Sequence, residues 1–452
     1  MGFSRLRTFA VLLLLVLPWH RHADAYSLLT HEQLIDLTWT DSIVPLLLLH
    51  YPNLTPAQLE QARAYAYGGC VIQDIGYYPF GDSSFSNLTH YVRSGDFVVS
   101  LFRNAKNANE LAFAAGALSH YIGDSIGHPE ATNLAVPVLF PKLGAKYGAV
   151  VNYAQGEHQH VQIEFAFDID EIAHHRVAPL TYLRHVGLKV PVRQLALAYY
   201  QTYGLTEDFS TLHHGRRFNM SGYSFATRNF IPHIAYALTL LHRGDEPAEP
   251  GSPERLEMDK EVAAVKSAND WQAYHGKTGF ETYALVGLIF IVPKIGPLKM
   301  VAIKGPTQAT EAEYLHSVVL SAASFRQRLA RFTPSATAGQ NTPHPPQDPR
   351  HPLPNRDLDT GRVVQPGGYP LTDSTYAYLL HSLTRLPAQP IPPGIKEDIQ
   401  AYYANPASPI TTKKDPSKWA QVQADLVTLA AMPTSTEPEP YPTYGDDPDR
   451  SQ

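Results

Sequence analysis

The chain has 452 residues, of which 44% are hydrophobic and 17% charged, and the charged share is low against the roughly 25% of an average soluble domain. Lys and Arg number 36 against 42 Asp and Glu, a formal charge of −6. Together these exclude a coiled coil, a highly charged disordered chain and a basic protein that coats nucleic acid. One cysteine, Cys70, excludes an internal disulfide and a thiolate zinc cluster, so a metal bound here must take His, Asp and Glu ligands. The outlier is histidine, at 21 residues.

In chain order, Arg5 and Arg7 precede the apolar run Phe9 to Leu17, which is followed by Ala23-Asp24-Ala25. That pattern predicts a secretory leader, residues 1–25, cleaved after Ala25, because the apolar run is too short for the ~20 residues that span a bilayer. Cleavage makes Tyr26 the N-terminus. It removes three arginines and one acid and takes the charge from −6 to −8. The expected location is secreted or periplasmic.

From Tyr26 to about residue 245 apolar residues recur at three and four, which predicts helices over His31–Leu49, Pro56–Tyr67, Ala108–Ile122 and Gln194–Tyr203. Arg243–Pro253 reads as a loop, and helical patterning resumes near Glu254 and from Ala309 to Phe332. Between these, Ala284–Val292 is the most apolar run of the mature chain, and it reads as buried core. A peripheral contact with membrane is its alternative, with Lys294, Lys299 and Lys304 following. Residues 333–370 hold nine prolines and predict a loop or extended linker. Leu371–Leu386, Ile395–Tyr403 and Lys418–Met432 predict further helices, and the Pro-, Glu- and Asp-rich tail 433–452 is expected to be disordered. The fold class is therefore all-α, with a domain over 26–332, a linker over 333–370 and a helical segment over 371–432.

The chemistry concentrates in His120-Tyr-Ile-Gly-Asp124-Ser-Ile-Gly-His128. On a helix His120 and Asp124 lie one turn apart on one face and can grip one metal ion. His128 sits about 12 Å of helical rise from His120, too far to share a single ion with bonds of ~2 Å. The motif therefore points to two or more metals with Asp124 in the middle, free to bridge. Asp74 and His90 lie 16 residues apart around a loop. His160 and Glu164, at i and i+4, form a second chelating pair. His158 competes with His160, but its i+4 partner is Gln162, not an acid, which favours His160. His31 lies five residues after Tyr26, whose free amine has a pKa of about 7.7–8.0 and can ligate once deprotonated. Cys70 reads as a small buried side chain. His174 and His175, following Asp168, Asp170 and Glu171, read as a solvated helix face, and His213-His214 as loop. The sequons at Asn53, Asn87 and Asn219 matter only in a glycosylating host.

An N-terminal aromatic with His five residues on, then Asp…His, H-x-x-x-D…H and H-x-x-x-E resembles the zinc-dependent phospholipase C family. That family is all-helical and similar in fold to the single-strand-specific zinc nucleases. The resemblance covers about residues 26–240 and implies two to three zinc ions: one on Asp74, His90, His120 and Asp124, a second on His128, His160 and Glu164, and a third on Tyr26, His31 and Asp124. This chain has Tyr26 where those families have tryptophan, and the spacing D-x-x-x-H of Asp124 and His128 resembles the glycosylphosphatidylinositol-specific phospholipase D branch of the same superfamily. The resemblance implies phosphodiester hydrolysis of a phospholipid, with Asp74 to orient or deprotonate the attacking water. Two alternatives stand beside it. One is a single-strand nuclease, in which Tyr77, Tyr78, Phe80 and Tyr91 would stack on bases. The other is a secreted zinc-binding protein without turnover. The mature charge of −8 weighs against nucleic acid as substrate, and the sequence is silent on oligomeric state.

Overall fold

A computed structural model describes residues 27–77, 81–206, 209, 239, 252–269, 271–274, 303–332 and 353–435. Residues 1–25 with the expected leader, Tyr26, Tyr78, Phe80, His213-His214, the run 284–292 and the end of the tail lie outside the described residues.

Within them the protein is all-α. The helices, in chain order, are α1 Leu28–Thr38, α2 Val44–His50, α3 Pro56–Cys70, α4 Ser83–Tyr91, α5 Ser94–Asn104, α6 Ala108–Gly127, α7 Asn133–Leu139 and α8 Pro141–Tyr147. They continue with α9 Glu157–Ala173, α10 Leu180–Val186, α11 Val192–Tyr203, α12 Pro253–Ala268, α13 Gln308–Leu329, α14 Pro370–Thr384, α15 Ile395–Tyr403 and α16 Pro416–Ala431. The described residues form no strand, only isolated bridges at Arg356–Val363 and Ile391–Thr434. No described helix is long and apolar enough to cross a membrane.

The centre of the bundle is α6, which packs on α3, α5 and α13. Its start is fixed by Asn107, whose side chain accepts a hydrogen bond from the Glu110 amide at 3.0 Å. The run Leu111–Leu118 is buried throughout and rich in Ala and Gly, so neighbouring backbones can approach closely. At Gly116 they do: a Cβ there would lie 2.1 Å from the Ala66 carbonyl oxygen of α3. Any side chain at 116 would push α3 and α6 apart, and with them the site residues at their ends. α3 begins with a capping box between Thr55 and Gln58 and carries Pro56 in its first turn.

α1 is buried on every side, from Leu28 to Thr38. A helix so enclosed has no solvent to satisfy its first amides, and Asp168 of α9 does so instead. Its carboxylate accepts from Leu29 N and Thr30 N, both at 3.1 Å, and from the Thr30 hydroxyl at 2.8 Å. That carboxylate anchors the turn bearing His31. Continuing through a π-helical turn, Trp39–Ile43, into α2, the chain follows the predicted His31–Leu49 pattern.

The C-terminal helices share the same core. Leu379, Leu380, Ile395, Ile399 and Leu429 are buried in one cluster with residues of α1 to α6. Ahead of them, residues 353–369 run irregularly across α4, α5 and the end of α6. Ser94 Oγ donates to the Arg356 carbonyl at 2.6 Å, the Tyr121 hydroxyl to the Pro354 carbonyl at 2.6 Å, and the Leu358 amide to the His90 carbonyl at 3.1 Å. Leu353 and Leu358 of this strap are fully buried.

Candidate metal centre

Four elements bring the first group of ligands together: the turn after α3 (Asp74), the end of α4 (His90), and α6 (His120 and Asp124) with α1 (His31). All five residues are at most 1% exposed. His90 Nδ1 faces the Ser86 carbonyl at 2.7 Å and His120 Nδ1 faces the Cys70 carbonyl at 3.0 Å. Each Nδ1 must carry the proton to meet a carbonyl oxygen, so each Nε2 presents a lone pair to the centre. The two Nε2 atoms stand 3.3 Å apart.

The carboxylates complete the ring. Asp74 Oδ1 lies 3.1 Å from His90 Nε2 and 3.4 Å from His120 Nε2. Asp124 Oδ2 lies 3.3 Å and 3.0 Å from the same atoms, while its Oδ1 is 3.3 Å from His31 Nε2. Asp124 thus turns one oxygen to each of two neighbouring positions, the geometry of a bridging carboxylate.

The second group gathers His128, in the π-helical turn that continues α6, with His160 and Glu164 on α9. Their ligand atoms lie within 4.8 Å of one another, as do those of Asp74, His90, His120 and Asp124. His160 Nε2 is held by the Val151 carbonyl at 2.8 Å, which leaves Nδ1 facing Glu164 Oε1 at 3.9 Å. His158, two residues earlier on α9, is exposed and takes no part.

This donor set fits a metal. Both oxygens of Asp124, both ring nitrogens of His128 and Nδ1 of His160 are buried without a hydrogen-bond partner. Orphaned polar atoms at such depth cost free energy unless something compensates them. Ligands on a tetrahedral zinc with bonds of 2.0–2.2 Å stand about 3.3–3.5 Å apart, close to the separations of 3.0–3.4 Å in the first group. Electrostatics agree with neutral imidazoles at His120, His128 and His160 and an ionised Asp124, whereas at His90 the Asp124 carboxylate outweighs burial and raises the imidazole above its usual value. Burial lowers His120 and His160 to about 4 and His128 well below its usual value. Burial opposes ionisation of Asp124, but the facing imidazoles, His120 first and then His31 and His90, carry it well below the ordinary carboxylate range.

The segment read as a solvated helix face is different. Asp168, Asp170 and Glu171 are buried, and Arg176 lies among them at 1% exposure. Arg176 Nη1 stands 3.0 Å from Glu171, 3.5 Å from Glu311 and 3.7 Å from Asp170. Asp170, His174 and Glu311 could otherwise hold an ion, but a guanidinium supplies the cation there. The sequence pattern gave no sign of this because Glu311 lies on α13, far along the chain. Cys70 is buried and its thiol donates to the Tyr67 carbonyl. Of the aromatic residues weighed as base platforms, Tyr77 and Tyr91 are described, and both are buried.

One acidic side chain beside the second group was not anticipated. Asp359, in the strap ahead of α14, has Oδ1 3.4 Å from His128 Nε2, and its Oδ2 accepts from the hydroxyls of Tyr91 and Tyr369. Burial and the neighbouring Asp357 charge push its carboxyl up to about 7. Its only sequence signal was an Asp-Leu-Asp in a proline-rich stretch.

Residues 30–237 match the family described as zinc dependent phospholipase C. No curated protein and no solved structure matches the chain.

Proposed function

We propose that this protein, whose residues 30–237 match the zinc-dependent phospholipase C family, hydrolyses the phosphodiester of a phospholipid, releasing an alcohol and a phosphomonoester. The observation that carries the reading is the pair of buried His–carboxylate groups separated by one helix turn of α6, inside the matched segment 30–237. The proposed holders are Asp74, His90, His120 and Asp124 for one zinc, His128, His160 and Glu164 for a second, and Tyr26, His31 and Asp124 for a third. Zinc bound there would lower the pKa of a water to about 7 and screen the charge that builds on the phosphate.

The chain's own residues would do the rest. Asp74, whose Oδ1 faces His90 and His120 and whose Oδ2 faces His31, would orient the attacking water and take its proton. The proton passes on to the departing alkoxide, so the products are neutral alcohol and phosphate ester. Asp124 would be shared between two cations, and the Ser86 and Cys70 carbonyls would hold the His90 and His120 imidazoles in the ligating tautomer. Export through the leader 1–25 and contact with the bilayer surface belong to the same reading.

The test is release of phosphate ester from phosphatidylcholine vesicles and of nucleotides from denatured DNA, each with and without chelator. Chelator-sensitive release from lipid alone is expected. Turnover of DNA alone would move the assignment to the nuclease, and zinc-loaded protein inert on both would leave a binding protein.

A further inference from the structure

We propose that Asp359, supplied by the C-terminal strap outside the matched family segment, is a fourth protein ligand of the metal held by His128, His160 and Glu164. The inference rests on the zinc reading above. The strap residue is where a ligand should be: Asp359 Oδ1 lies 3.4 Å from His128 Nε2, and two donors on one tetrahedral zinc stand about 3.3–3.5 Å apart.

An outer-sphere role fits less well. A carboxylate that merely orients a ligating imidazole accepts that ring's N–H. Neither ring nitrogen of His128 has a hydrogen-bond partner, although the residue is 1% exposed. Asp359 is close to the imidazole without lying along its N–H direction, as two groups that share an ion would be.

The carboxylate is also prepared for ligation. The Tyr91 and Tyr369 hydroxyls both donate to Oδ2, which aims Oδ1. Asn133 Nδ2 donates to the Asp359 carbonyl at 2.9 Å and pins the backbone. The strap turns away at Gly361, whose φ of +66° and approach to the Ser125 carbonyl leave no room for a Cβ. Charge points the same way. His128, His160 and Glu164 would leave a buried divalent zinc with one positive charge uncompensated, and a second carboxylate neutralises it. With two acids each, the two metal groups become alike, and the second loses an open position.

The experiment uses the full chain and zinc alone, then cobalt. Zinc content is measured by elemental analysis, and affinity by competition with a chelator, for wild type and D359N. The expected result is one zinc fewer at wild-type saturating concentration, with affinity for that ion reduced beyond the ~10–100-fold that loss of an outer partner costs. In D359C loaded with cobalt, a thiolate-to-cobalt charge-transfer band should appear. It should be absent from wild type, which retains Cys70, and from D359N. Unchanged zinc affinity in D359N, or a cobalt-loaded D359C without the band, overturns the assignment, as does a smaller loss of affinity with no band. If D359N fails to fold, the cysteine variant decides alone. Wild-type protein that binds no zinc would instead overturn the function on which the inference rests.

Discussion

Substituting Asp124 by Asn should damage the centre more than any other single change on α6. The two oxygens of Asp124 serve different partners, with His31 Nε2 at 3.3 Å on one side and His120 and His90 Nε2 at 3.0 Å and 3.3 Å on the other. Asparagine keeps the volume but loses the charge, and it turns an NH2 toward one of these positions. A pair of unit charges ~4 Å apart at an effective dielectric of ~20 is worth about 4 kcal/mol, roughly a thousandfold in binding constant. A bridging carboxylate would contribute at that level to each of two cations. D124N is therefore expected to lose two zinc ions, or bind them about a thousandfold more weakly, and to turn over no measurable lipid. The assay is equilibrium dialysis at graded free zinc with elemental analysis, with circular dichroism as a check that the variant folds. A folded D124N that keeps its full zinc complement at wild-type affinity would refute the bridging role.

On α9, His158→Ala should leave zinc content unchanged because His158 is exposed, whereas His160→Ala should empty one site; the reverse order would reassign the ligand. An uncleaved N-terminal tag ahead of Tyr26 should cost one zinc and most of the activity, and N-terminal sequencing of secreted protein should begin at Tyr26. Burial raises Asp36 to about 6, against the pull of Arg63 and Tyr67, so its contribution to stability is present below the unfolded value near 4 and lost as pH rises through 6. Asp36→Asn should accordingly gain about 3 kcal/mol on wild type between pH 4 and pH 8, measured by urea unfolding with both proteins in the same metal state; a pH-independent difference would show that Asp36 is not held near 6.

The helices were legible in the sequence because long periodic segments with good caps leave little choice. α3 and the Ala- and Gly-rich α6 are instances, and both begin where the pattern placed them, at Pro56 and Ala108. The spacing His120, Asp124, His128 was legible for the same reason, since helical geometry converts sequence distance directly into space. Contacts between distant segments were not. Arg176 meets Glu311 across 135 residues, and its acids therefore looked solvated when they are buried. Asp359 meets His128 across 231 residues, from a stretch whose prolines advertise only the absence of a helix. Periodicity reports which face of an element is apolar, and it carries no information about which loop closes over that face.

That division has an energetic reason. The first group of ligands comes from α1, the turn after α3, α4 and α6, and no ligand of either group is more than 2% exposed. No one segment could hold such a centre alone, and the bare carboxylates and unprotonated imidazoles repel or go unsatisfied when brought together without a cation. The cost is met only when metal binding and packing occur together, so a share of the folding free energy resides in the ligands themselves. The sites therefore need rigid support from elements far apart in sequence. α6 provides it for His120 and Asp124 through close contact with α3, Asp168 provides it for His31 by capping α1, and the strap provides it at Asp359 through Tyr91, Tyr369 and Asn133. The first of these supports is written in a local pattern of small residues, while the other two exist only once the chain has closed on itself.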